Sequence, residues 1–110
     1  MKTFMGVMIA GVAVLLLSAP AWAGNKHVDE AIHHAKEAVE HGKQGHVDVA
    51  LKHAEGALQH AKGAQADMKN GHLDEGVKHL EEAVSHGKQG HADAVVKHAE
   101  GAVMHLSEVK

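Results

Sequence analysis

Histidine recurs every seven residues through most of the chain, and it does so inside a larger duplication. Residues 27–60 overlay residues 72–105 at a shift of 45, sharing His-x-Asp-Glu, Glu-Ala-Val, the block His-Gly-Lys-Gln-Gly-His (41–46 and 86–91) and the block Lys-His-Ala-Glu-Gly-Ala (52–57 and 97–102). Each half is itself two similar segments, opening at His27-Val28-Asp29, His46-Val47-Asp48, His72-Leu73-Asp74 and His91-Ala92-Asp93. A chain made of four copies of one segment is expected to fold into four copies of one element.

That element is a helix. With the recurring His set at heptad position g, the first segment places Val28 and Ala35 at a, Ala31 and Ala38 at d, and Ile32 and Val39 at e. The other three segments repeat the same a/d/e stripe, the signature of an amphipathic helix with one apolar face. Gly42 to Gly45 and Gly87 to Gly90 interrupt the first and third helices, because glycine enters the tight conformations that end a helix without steric cost. Asn70-Gly71 is the equivalent break between the two halves. The apolar period runs on through Ala64 and Met68, so the second helix extends to about Lys69 unless Gly63 ends it earlier. Short loops between such helices make neighbours antiparallel. The expected fold is therefore all-α, an up-down-up-down four-helix bundle built from two duplicated helical hairpins, at about residues 26–62 and 71–108. Ala dominates d, so the helices can approach closely while burying little area, and stability should be modest.

Residues 1–23 have the organisation of a secretory signal: Lys2 is the charged start, Phe4 to Leu17 the apolar stretch and Ala21-Trp22-Ala23 the small-x-small cleavage site. The stretch is too short to span a bilayer, so the expected product is an exported domain, residues 24–110, with no membrane attachment after cleavage. This domain contains no aromatic residue, proline or cysteine. Disulfides, thiolate metal sites and Cys nucleophiles are thereby excluded. Lysines are spread evenly and the chain carries a formal charge of -3, so neither a basic footprint nor a stacking platform for nucleic acid exists. No Ser/His/Asp set or phosphate-binding loop stands out, and the chain reads as a non-enzyme.

The chemistry lies in the 13 His. Twelve of them, His27, His34, His41, His46, His53, His60, His72, His79, His86, His91, His98 and His105, occupy g positions, three in each segment. His33 falls at f, a slot that elsewhere holds Lys52, Lys78 and Lys97, and is read as solvent-facing. Two His seven apart on a helix are about 10.5 Å apart along its axis. An ion about 2 Å from each nitrogen cannot bridge that gap, so a site must join two helices. Antiparallel folding at the glycine turns pairs 27 with 60, 34 with 53 and 41 with 46, and likewise 72 with 105, 79 with 98 and 86 with 91. Six two-His sites are expected. Glu30, Glu37, Glu75 and Glu82 lie three residues after a g His on the first and third helices and can add a carboxylate. Imidazole and carboxylate without thiolate suit copper(II), nickel(II) and zinc(II), with copper(II) bound most tightly. Met68 falls at a, a packing position, and Met104 at f, an exposed one; neither suggests a soft-metal site.

Runs such as His33-His34-Ala35-Lys36-Glu37-Ala38-Val39-Glu40-His41-Gly42-Lys43-Gln44-Gly45-His46 and Lys78-His79-Leu80-Glu81-Glu82-Ala83-Val84-Ser85-His86-Gly87 resemble the small metal-binding protein family of exported, His-rich bacterial proteins. The resemblance covers essentially the whole exported domain. It implies a periplasmic helical bundle that binds several divalent ions, copper foremost, as a buffer, scavenger or store, and it extends to the twelve laddered His but not to His33. Two other classes are compatible with the residues alone: a pH-responsive protein, since imidazole titrates near neutrality, and a tandem helical-hairpin interaction module.

Overall fold

The computed structural model describes residues 25–110. The expected signal segment and its cleavage point after Ala23 lie outside the described residues. Four helices follow in order: α1 (Lys26–Lys43), α2 (Val47–Asp67), α3 (Gly71–Lys88) and α4 (Ala92–Ser107). None of these is long and apolar enough to cross a membrane.

Local chemistry sets the ends of these helices. The Asn25 side chain accepts from the amides of His27 (2.8 Å) and Val28 (3.3 Å), and Asn70 does the same for His72 (2.8 Å) and Leu73 (3.1 Å). Both are N-caps satisfying amides that have no partner within the first turn. At the other end of α1, Gly45 adopts φ 82°, and the amide of His46 donates to the carbonyl of His41 at 2.9 Å while that of Gly45 donates to Gly42 at 3.0 Å. This is a Schellman turn, and Gly90 (φ 81°) repeats it at the end of α3. The second helix passes through Gly63 and stops at Asp67, so the extended alternative holds to within two residues.

Each helix packs against its two neighbours in a closed ring of four, with α1 against α2 and α4, and α3 against α2 and α4. The contacts between hairpins are repeat-related: a Cβ built on Gly42 would lie 2.6 Å from Val96, and one on Gly87 would lie 3.0 Å from Leu51. The two hairpins therefore sit about a pseudo-twofold axis, with the seams α1/α2 and α3/α4 on opposite sides of the bundle.

The core is narrower than the a/d/e stripe suggests. The d positions are buried throughout the helices, whereas Ile32, Val39, Leu58, Val84 and Val103 at e are only partly covered. Small d residues explain this, since close approach of the backbones leaves the e side chains at the seam edges. Eleven of the seventeen buried apolar residues are Ala, so little apolar area stabilises the fold. One half of the bundle adds Leu73, Leu80 and Leu106, while the other holds Ala38, Ala50, Ala54, Ala83, Val95 and Ala99.

Candidate metal centres

Because every g position lies at the edge of the stripe, each hairpin carries its six laddered His along its own seam. Direct pairing occurs as the turn register demands. Nδ1 atoms face each other at 3.1 Å in His27/His60, 3.4 Å in His34/His53, 3.3 Å in His72/His105, 3.4 Å in His79/His98 and 3.5 Å in His86/His91. The rings of His41 and His46 are 6.1 Å apart by centroid. In such an Nδ1···Nδ1 contact one ring carries the proton at Nδ1 and the other accepts it there, so the two rings of a pair take complementary roles.

A second register interleaves with the first. His34 stacks on His60 (5.6 Å, 10°), His41 on His53 (5.4 Å, 5°), His79 on His105 (5.5 Å, 17°) and His86 on His98 (5.4 Å, 9°). The two sets of contacts join into one zigzag per seam, running 27, 60, 34, 53, 41, 46 and 72, 105, 79, 98, 86, 91. Each inner ring thus has two His neighbours.

The carboxylates gather with the stacked register. Among the described residues, donor atoms within 4.8 Å of one another form four sets: Glu30, His34, His60; Glu37, His41, His53; Glu75, His79, His105; and Glu82, His86, His98. Expectation placed each Glu beside the His three residues before it, whereas the structure places it with the His four residues after it. One helical turn, at about 1.5 Å rise per residue, brings positions i and i+4 onto one line of the surface. Glu37 lies 3.7 Å from His41 Nε2 and Glu82 lies 3.8 Å from His86 Nε2.

Burial separates the ladder into two classes. The eight His of the four sets are half-buried, while His27, His46, His72 and His91 at the ladder ends are exposed and outside any three-donor set. His33 is exposed beside His34, Met68 packs on the core and Met104 is exposed, as expected. His41 Nδ1 is buried without a hydrogen-bond partner, a costly state for a polar atom. Burial lowers the imidazole pKa of His53 and His98; Glu37 and Glu82 respectively oppose the shift, and neighbouring His reinforce it. Neutral rings are the form that ligates, so this desolvation favours ion capture over protonation.

Sequence reasoning missed the interior glycines. Gly56, Gly63 and Gly101 each follow a ladder His by three residues on α2 or α4, the same offset that carries Glu on α1 and α3. The signal was available as a glycine inside an otherwise Ala-rich helix, repeated in step with the ladder.

Among curated proteins none matches the chain significantly. A family model described as small metal-binding protein matches residues 1–109. The match takes in both duplicated hairpins with their ladders and all four donor sets, and the chain belongs to the small metal-binding protein family.

Proposed function

We propose that this chain is an exported, periplasmic buffer or store for divalent metal ions, chiefly copper(II), which it holds in the four Glu–His–His sets. The observation that carries the proposal is the coincidence of burial and carboxylate: the eight half-buried His are the eight that stand with a Glu. Two imidazoles and a carboxylate match copper(II), nickel(II) and zinc(II), and the general affinity order puts copper(II) first. Three protein donors leave coordination positions open to water, which suits capture and release.

The two registers limit capacity. A hairpin accommodates two ions in three-donor sets or three in direct His pairs, because both registers draw on the same rings. Titration calorimetry of the purified chain with copper(II), nickel(II) and zinc(II) tests this. The expected result is a tight phase of four copper(II) ions, a ceiling of six, weaker zinc(II), and a melting temperature raised by bound metal. Saturation at one or two ions would sink the ladder. Acid-driven structural change without metal affinity would favour a pH-responsive protein, and peptide binding without metal would favour an interaction module.

A further inference from the structure

Three glycines stand where His rings occupy the space of a side chain. A Cβ built on Gly101 of α4 would lie 3.0 Å from Cε1 and Nδ1 of His79, and one on Gly63 of α2 would lie 3.2 Å from the His27 ring. On Gly56 the corresponding contact to His34 is 3.5 Å, an ordinary van der Waals separation. Register makes these three contacts equivalent: each joins a ladder His of α1 or α3 to the residue three beyond a ladder His on the partner helix.

Folding alone argues against glycine at these places. Gly101, Gly63 and Gly56 are helix-interior positions, half-buried at the edge of the seam, in helices whose buried face is mostly Ala. Alanine is the better helix former, so each glycine weakens its helix. Elsewhere in the bundle a missing Cβ admits a neighbouring apolar side chain, as Gly42 admits Val96, Gly76 admits Leu106 and Gly87 admits Leu51. Here it admits an imidazole. The offset of three beyond a ladder His carries Glu30, Glu37, Glu75 and Glu82 on one side of each seam and these glycines on the other.

We propose that Gly101 is a positioning residue for the Glu75–His79–His105 set: its bare backbone seats the His79 ring so that the ring's nitrogen meets the other two donors. Gly63 seats the ladder-end His27 in the same way, and Gly56 leaves the His34 ring room to spare. The inference rests on the metal-binding reading for its consequence in affinity, but the seating of the ring does not require metal.

The test uses Gly101→Ala, Gly63→Ala and Gly56→Ala in the full chain, titrated with copper(II) and compared without metal by imidazole ring NMR and circular dichroism melting. Gly101→Ala should melt no lower than the wild type, shift the His79 ring resonances in the metal-free state, and keep three of four tight ions while the fourth weakens about tenfold, the scale of losing a group that orients a ligand. Gly63→Ala should shift the His27 ring resonances and leave all four tight sites. Gly56→Ala should raise the melting temperature and keep all four ions. Wild-type His79 ring positions in Gly101→Ala would overturn the proposal whatever Gly63→Ala shows, and so would unfolding of Gly101→Ala, which would assign that glycine to packing. A wild-type chain that binds no copper(II) would instead defeat the metal-binding reading, with ring seating still decided by the metal-free spectra.

Discussion

Replacing Glu82 by Gln should weaken one copper(II) site by about thirtyfold, whereas replacing Glu81 should not. The donor atoms of Glu82, His86 and His98 lie within 4.8 Å of one another, so an ion among them is within about 4 Å of the carboxylate. Glu82 is 60% exposed, which makes water-like screening the right choice. Unit charges about 4 Å apart then interact by about 1 kcal/mol, and a divalent ion doubles this to about 2 kcal/mol. Direct coordination shortens the distance and strengthens the attraction, while salt weakens it, so about thirtyfold is the order of magnitude expected. Glu81 is the matched control: its carboxylate lies 4.0 Å from Lys62 Nζ on α2, and Glu81→Gln removes the same unit of charge one residue away. At about 0.15 M salt the field of an exposed charge outside the site is largely screened, leaving less than about a twofold effect. Calorimetric titration of the wild type and both variants reads the difference as three tight ions plus one weakened ion for Glu82→Gln against four for Glu81→Gln. Equal losses, or none in either, would refute the reasoning and place the metal in direct His pairs without a carboxylate.

Three further outcomes follow from the same geometry. His60→Ala should remove one tight ion while His27→Ala removes none, because only His60 belongs to a three-donor set; equal effects in a copper(II) titration would restore the direct register. Leu106→Ala should destabilise by about 2–5 kcal/mol, and Gly76→Ala should also destabilise because its new methyl would meet Leu106 at 2.8 Å; in the double variant the methyl enters vacated space, so denaturant unfolding that shows strict additivity would contradict this packing. Finally, His53 and His98 have folded pKa values below their unfolded value of about 6.5, so stability is complete above about pH 6.5 and is lost as pH falls through the folded values. Metal-free melting temperatures should therefore fall between pH 7.5 and pH 5.5, less so in a variant carrying His53→Gln and His98→Gln; identical melts for the wild type at the two pH values would exclude the effect.

Much of this protein was legible in the residues because its information is periodic. A seven-residue His period beside an a/d stripe defines a helix and the edge on which the His stand, and the glycine turns define which His meet across a seam. Asn70-Gly71 separates the two hairpins, Gly45 and Gly90 turn, and the direct pairs form in the register that the turn lengths dictate. These features are local or nearly so, and spacing along the chain specifies them.

Tertiary structure alone decided which donors gather. In the zigzag each inner ring has two partners at nearly equal distance, and sequence spacing names only the one directly opposite. The stagger between antiparallel helices makes the second partner, and it is this stacked pair that the carboxylate one turn earlier can reach. The same stagger brings His79 over Gly101, so that an interior glycine with no use in a lone helix becomes part of the site. Close Ala packing sets the burial, leaving the ladder ends exposed and the inner rings half-covered. Spacing along one chain fixes which faces meet, but the offset between two packed helices is a property of how their side chains interlock, and only that offset turns a row of His into separate donor sets.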